Sequence, residues 1–320
     1  MSYDVVALGE LLIDFTDNGR SAQGNPLMEA NPGGAPCNVL SMLCNLGKKT
    51  AFIGKVGEDI FGRMLADTVR EVGIDTRALV FDPDVRTTLA FVHTYENGDR
   101  DFSFYRNPGA DMMLSKADVD EELIKDTKLF HYGTLSMTAE GAAEATRYAV
   151  QIARESGALI SFDPNYRPPL WSSVDEAKEA IWWGIKNCDV LKISDNEIEF
   201  ITGIADIDEG VRAIMDRAGA EGPRLICASM GPDGSKAFYN DMVVFGEPRL
   251  REDTIETTGA GDTFMAGVLY HVLKYGIDGF DEEKLRGMLV FANTAASIVT
   301  TRKGALRVMP TMSEIEEECR

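Results

Sequence analysis

This 320-residue chain holds only three histidines and five cysteines. The cysteines (Cys37, Cys44, Cys188, Cys227, Cys319) are scattered, and no two have C-x-x-C spacing. There is no H-E-x-x-H and no Cys/His cluster, which argues against zinc and against a disulfide framework. Reduced thiols in a cytoplasmic protein are the expectation. No apolar run approaches the ~20 residues of a membrane span. The opening "SYDVVALGELLIDF" has no basic region ahead of a long apolar stretch, so no signal peptide is expected. Positive charge is scarce too. Lys and Arg total 32 against 52 Asp and Glu, a formal net charge of -20. A chain this acidic is a poor general binder of nucleic acid or anionic membrane, although a local cluster of donors can still hold a phosphorylated small molecule. Finally, G-x-x-x-x-G-K-[ST] is absent, as is G-x-G-x-x-G after the first strand. Those absences argue against a P-loop enzyme and a nicotinamide-binding Rossmann domain.

What is present is alternation. "VVALGELLIDF", "TAFIGKVG", "KLFHYGTL", "ALISFDPN", "DVLKISD" and "RLICASMG" read as buried strands. Helical spacing fills several of the gaps, as at Ala143–Ser156 and Asp175–Asn187. The pattern predicts an α/β fold with a mostly parallel central sheet and helices on both faces. Ligands then lie beyond the strands' carboxyl ends, at "SFDPNYR", "KISDNE" and "SMGPDG". Two segments break the alternation. Residues 10–33 hold a strand and a loop rich in Gly, Asn and Pro. Residues 87–106 alternate apolar and polar around "ENGD", whose Asn-Gly pair signals a hairpin. These two segments are expected to form a β lid over an α/β domain made of 1–9, 34–86 and 107–320. The last third is helical, with one stripe through Phe264, Val268, Leu269, Val272 and Leu273. A second runs through Leu285, Leu289, Ala292, Ala296 and Val299.

"IETTGAGDTF", Ile255–Phe264, carries the chemistry. Gly259 and Gly261 admit backbone angles barred to other residues. A turn of Gly, Ala and Gly lets an anion come close to the first N–H groups of the following helix. Asp262 stands at the same place. A carboxylate there is electrostatically odd unless it accepts a proton; the plainer alternative is that it caps the helix.

"TTGAGDTF" together with "GGAPCNV" (Gly33–Val39) resembles the two signatures of the ribokinase-like (PfkB) carbohydrate kinases. "GELLIDF", "DPNYRPPLW", "KISDNEIEF" and "TTRKGA" follow in that family's order, so the resemblance spans nearly the whole chain. "DFSFYRNPGADMML" and "FDPNYRPPLW" look most like fructokinases and are also similar to 2-keto-3-deoxygluconate kinases. The resemblance implies ATP-dependent phosphorylation of a sugar hydroxymethyl group. Asp262 would be the general base and Gly259, Ala260 and Gly261 the anion hole. Asp14, Gly33, Gly34 and Asn38 would hold sugar hydroxyls, Asn38 being otherwise read as a helix cap. Phe104 and Tyr105 alternate across the strand, so one faces the sugar, with Phe104 the candidate, and the other the lid's core or a partner. Arg106 and Arg167 would face substrate or phosphate, the alternative for each being an ordinary surface arginine.

On the nucleotide side the resemblance implicates Lys192, Ser229, Gly231, Gly234 and Asn293, the last otherwise a polar residue on an exposed helix face. Glu197 would hold Mg²⁺ through water. Ser194 stands where many members have Asn. Glu256 stands where the family usually has Asp. In potassium-activated members that carboxylate binds the ion with carbonyls that correspond here to Thr258, Val299, Arg302, Gly304 and Val308. The longer Glu256 side chain predicts weakened K⁺ activation. A homodimer joined through lid aromatics such as Phe91, Phe102 and Phe104 is expected.

Overall fold

In the computed structural model, which describes residues 1–94 and 100–319, strands and helices alternate through most of the chain. The strands are β1 (Tyr3–Leu8), β2 (Leu12–Arg20), β3 (Pro26–Gly33), β4 (Thr50–Gly57), β5 (Asp75–Asp82), β6 (Leu89–Thr94), β7 (Arg100–Tyr105), β8 (Thr127–Gly133), β9 (Leu159–Asp163), β10 (Val190–Ser194), β11 (Leu225–Ser229), β12 (Ser235–Tyr239) and β13 (Met242–Gly246). The helices are α1 (Ala35–Asn45), α2 (Ile60–Glu71), α3 (Glu121–Lys125), α4 (Glu140–Glu155), α5 (Val174–Lys186), α6 (Asp195–Thr202), α7 (Ile207–Ala218), α8 (Ala260–Tyr275), α9 (Glu282–Val299) and α10 (Met312–Glu318).

Nine strands form one sheet in the order β13-β12-β11-β10-β9-β8-β1-β4-β5. Pairing is parallel from β11 through β5, and only β12 and β13 run antiparallel. Both faces are covered, so the strands bury alternate side chains in two separate cores. Val5 and Ala7 of β1 join one core, with Leu40, Phe264, Val268 and Leu289. Val6 and Leu8 join the other, with Phe130, Ile152, Ile181 and Ile214. Polar residues set where the helices begin: Asp59 accepts from two backbone N–H groups of α2, and Ser194 closes a capping box with Glu197.

The second sheet has four strands in the order β3-β2-β6-β7. It unites the two segments that broke the alternation. The "ENGD" hairpin signal lies outside the described residues, as does the side chain of Phe102.

Two details differ from the sequence reading. "VVALGELLIDF" is not one strand. The chain leaves the large sheet after Leu8 and enters the small one at Leu12. Gly9 passes so close to α1 that a Cβ would lie 2.5 Å from Pro36 Cγ. Glu10 meanwhile accepts a hydrogen bond from the Ala35 N–H at 2.8 Å, which ties the crossing point to the start of α1. The β12–β13 hairpin was also not foreseen; its turn holds Asn240 at φ 51, the left-handed conformation such tight turns demand.

Candidate active site

A cleft of about 710 Å³ opens at the carboxyl ends of the central strands, beneath the small sheet. The small sheet contributes Leu12, Asp14, Thr16, Val92 and Phe104 to its lining. The large unit contributes Asn38, Asn165, Lys192, Glu197, Ser229 and Asp262, among others.

The glycine turn lies in this cleft. Gly259 is the N-cap of α8, in the left-handed region at φ 76, and no side chain caps the helix. The Ala260 N–H turns back to the Thr257 carbonyl (3.2 Å) and the Thr263 N–H bonds to the Gly259 carbonyl (2.8 Å). Among the described residues the N–H groups of Gly261 and Asp262 have no backbone acceptor. Ala260 does not line the cleft, so the donors facing it are those of the next two residues. Asp262 does not cap α8. Its carboxylate is buried, with Asn38 Nδ2 donating to Oδ2 at 2.8 Å and Asn165 Nδ2 donating to Oδ1 at 3.3 Å. Burial pushes the Asp262 carboxyl above the usual range, while Asn38, Lys192 and Arg167 restrain the rise.

Asn38 is not a cap either. It sits one turn into α1, its N–H bonded to the Gly34 carbonyl at 2.9 Å, and Gly34 is the N-cap. Gly34 adopts φ 136, and a Cβ there would come within 2.5 Å of the Glu10 carbonyl oxygen. That close approach brings Asn38 to Asp262. Asn38 Oδ1 is buried and has no hydrogen-bond partner among the described residues. Asp14 lines the same wall. Burial raises its carboxyl to about 7, with Arg167 pulling it down and Glu256 and Asp262 pushing it up. Gly33 is buried behind it rather than in the lining, and leaves room for Asp14: a Cβ would sit 2.8 Å from its Oδ2. Phe104 faces the cleft, whereas Tyr105 is 66% exposed and packs edge-on against Phe91.

The two arginines part company. Arg167 is exposed at the cleft wall. Arg106 is buried and does not line the cleft. Its guanidinium pairs with Asp111 at 2.7 Å and donates to Thr138 Oγ1 (2.7 Å) and the Leu135 carbonyl (3.0 Å). Each of its three nitrogens is bonded within the scaffold.

On the opposite wall Lys192 Nζ lies 3.1 Å from Asp163 Oδ2, both side chains being buried. Burial alone would lower the lysine pKa, but the carboxylates of Asp163, Glu197 and Asp262 more than offset it and hold it above the ordinary value. Glu197 accepts from the Ser194 N–H and from the Tyr166 N–H, each at 2.8 Å. Ser194 therefore serves as a full helix cap in place of Asn. Ser229 and Gly231 line the cleft; Gly234 does not, and its φ of 92 serves the turn into β12, where a Cβ would meet the Gly246 carbonyl at 2.4 Å. Asn293 is neither exposed nor in the cleft. It accepts from Ser235 Oγ (3.0 Å) and donates to the Gly246 and Glu247 carbonyls (3.2 and 3.0 Å), fastening α9 to β12 and β13.

The expected cation-binding group is split. Glu256, Thr258 and Gly304 line the cleft; Val299, Arg302 and Val308 do not. Glu256 accepts from the Gly304 N–H at 2.9 Å, and the Val308 carbonyl accepts from the Arg302 guanidinium at 2.9 Å. Asp163 and Asn165 were not singled out from the sequence. Both lie in "SFDPNYR", a strand end already marked as a place to look, and Asn165 holds a positive φ of 47 that aims it at Asp262.

Comparison with known proteins places these features in a family. The model of the pfkB family carbohydrate kinases matches residues 2–312. Fructokinase-1 of Zea mays is 41% identical, the alignment covering 97% of this chain and 96% of that protein. The structure of fructokinase from Vibrio cholerae O395 in its fructose, ADP and calcium ion bound form superposes with a TM-score of 0.89 at 30% identity over 100% of both chains. Fructokinase from Xylella fastidiosa with bound ATP gives 0.88 at 29% identity, covering 99% of this chain and 98% of that one.

Proposed function

The chain belongs to the pfkB family of carbohydrate kinases, and on that premise we propose that it transfers the terminal phosphoryl group of ATP to fructose, giving fructose 6-phosphate. The observation that carries the mechanism is the buried Asp262 carboxylate, held by Asn38 and Asn165 at the mouth of a helix two of whose N–H groups have no backbone acceptor among the described residues. Asp262 takes the proton from the attacking hydroxyl. The Gly261 and Asp262 N–H groups face the charge that spreads over the phosphoryl group. Asp14 and the unpartnered Asn38 Oδ1 accept hydrogen bonds from the sugar's hydroxyls. Ser229 and Gly231 lie on the nucleotide side, with Lys192 between the two substrates. Closure of the small sheet excludes water, so that ATP is not hydrolysed.

Glu197 fits a Mg²⁺ held through water. Its two oxygens each accept one backbone N–H and retain capacity, and a hard cation of this kind takes few protein ligands. Bound there, the ion would neutralise charge on the ATP phosphates. Potassium is fitted less well, because the Val308 carbonyl already serves Arg302. We therefore expect weak activation, read as the rate in K⁺ against a large organic cation at equal ionic strength; equal rates would remove it altogether.

Commitment of Arg106 to Asp111 leaves Arg167 as the one cleft arginine of the two expected. That favours a neutral sugar over 2-keto-3-deoxygluconate. The small sheet is also the proposed dimer face, since its outer strands β3 and β7 expose Leu27, Met28 and Tyr105; sedimentation at micromolar concentration checks it. The activity is tested by ADP release with ATP and Mg²⁺ over fructose, ribose, glucose, tagatose and 2-keto-3-deoxygluconate. Fructose is expected to give the highest kcat/KM. Preference for the keto acid would move Arg167 to a carboxylate role and overturn the fructose assignment.

A further inference from the structure

Asn31 lines the cleft, yet it is not among the residues given a role above. It stands on β3 directly opposite Asp14 on β2, and both side chains face the cleft from the small sheet. Asn31 Nδ2 donates to Thr16 Oγ1 at 2.8 Å and to the Glu29 carbonyl at 3.4 Å. Those bonds fix the plane of the amide, and its oxygen meets the large unit. Oδ1 lies where a side chain on Gly304 would be: a Cβ there would come within 3.2 Å of it. Gly304 also holds φ 97, so space and backbone both call for glycine.

The loop around Gly304 connects the parts of the site. The Gly304 N–H goes to Glu256 Oε1 at 2.9 Å, and the Glu256 charge bears on Asp14. Ala305 backs the glycine turn: a Cβ on Gly259 would lie 3.9 Å from Ala305 Cβ. Farther along, α1 grips the same loop. Ser41 Oγ donates to the Leu306 carbonyl at 2.6 Å, and Asn45 Nδ2 to the Met309 carbonyl at 2.8 Å. One loop thus touches the helix that carries Asn38 and the turn that leads to Asp262. Through Asn31 the small sheet reaches it as well.

We propose that Asn31 is a positioning residue that seats the small sheet on Gly304, so that a sugar held by Asp14 and Asn38 shuts the cleft over Asp262 and keeps water from the phosphoryl group. This rests on the kinase reading above. With the seat in place, the bond from the sugar oxygen to phosphorus forms and the bond from phosphorus to the ADP oxygen breaks. The hydroxyl proton passes to Asp262. With the seat lost, a water oxygen takes the sugar's place in the same step, and inorganic phosphate leaves beside ADP. Asn31 makes and breaks no covalent bond.

The test follows ADP and fructose 6-phosphate side by side in Asn31→Ala, with ATP, Mg²⁺ and fructose. The wild-type chain should form the two in equal amounts. Asn31→Ala should raise the fructose KM by about 5-fold, the size of one modest hydrogen bond, and raise the share of ADP released without sugar phosphate by a similar factor. The kcat for fructose should stay within about 3-fold, since the transferring groups are intact. Gly304→Ala then checks the contact itself. Its backbone strain is the same in either background, but its clash with the amide exists only when Asn31 is present. Its effect on the fructose KM should therefore be several-fold smaller in Asn31→Ala than in the wild-type chain. Should Asn31→Ala weaken the small sheet, Asn31→Ser keeps the strand polar without reaching Gly304, and should show the same uncoupling at normal melting. An unchanged KM and one-to-one coupling would overturn the proposal. So would a raised KM with coupling intact, which would make Asn31 a sugar ligand only, or effects of the two substitutions that simply multiply. No sugar turnover by the wild-type chain would instead overturn the kinase reading, and this proposal with it.

Discussion

Two buried ion pairs flank the cleft and are built to opposite ends. In Arg106–Asp111 the side chains are 3% and 2% exposed; in Lys192–Asp163 they are 8% and 4% exposed. Burial alone does not separate them. Completion does. Besides Asp111, Arg106 has two further acceptors, Thr138 Oγ1 and the Leu135 carbonyl, and Thr88 Oγ1 donates to the remaining Asp111 oxygen. Among the described residues Lys192 donates to Asp163 alone, and one Asp163 oxygen goes unbonded. A fully satisfied pair is part of the frame. An incomplete pair on a cleft wall waits for a ligand.

The largest expected effect breaks the complete pair. Arg106→Met leaves Asp111 buried and unpaired, at a cost of about 3–5 kcal/mol in stability. Melting should fall by several degrees, while kcat of the folded fraction stays within about 3-fold. A variant that melts like wild type but loses turnover would put Arg106 back in the site and erase the contrast.

Next comes the carboxylate between the two walls. Asp262→Asn should lower kcat by at least ~10²-fold. Stability should move the other way. The folded-state pKa of Asp262 is raised, so the native state holds its proton more tightly than the unfolded chain. Ionising it costs stability as pH rises from the unfolded value, and the cost is complete above the folded one. At pH 8 the amide, which cannot ionise, should therefore melt no lower than wild type. The same shift gives wild-type kcat/KM an acidic limb above the usual aspartate value, falling as pH drops. A variant both slow and unstable would make Asp262 structural.

Asp14→Ala sharpens the contrast on the sugar wall. Losing one charged acceptor for a hydroxyl, about 1.5–3 kcal/mol, should raise the fructose KM roughly tenfold or more, with kcat within about 3-fold. A fall in kcat at unchanged KM would place Asp14 in transfer rather than in binding.

Much of the molecule was legible because the signals were local. Strand runs buried on both faces and a glycine turn at the start of a helix mark their own places in the fold. The position of Asp262 and Asn38 followed from two short signatures 224 residues apart in the chain that meet at 2.8 Å. What stayed hidden was the partner of each charge. No spacing rule tells that Arg106 bonds Asp111 five residues on while Arg167 faces the cleft. Carbonyl sites hide for the same reason: the Val308 oxygen looks free until Arg302 is seen on it. The split of "VVALGELLIDF" falls where Gly9 passes close against Pro36, again a contact across the chain.

Asn293 gives the smallest effect and the finest cut between frame and site. The family resemblance put it beside the nucleotide. The structure gives it three bonds at the edge of the large sheet, to Ser235 and to the Gly246 and Glu247 carbonyls. By the completion rule it is frame. Asn293→Ala should cost about 1–3 kcal/mol, since the freed serine hydroxyl is buried. ADP affinity by calorimetry should stay within about 3-fold. A drop of tenfold or more, with melting unchanged, would show that a residue can be fully bonded within the protein and still belong to the ligand. The rule separating the two ion pairs would then fail at its own margin.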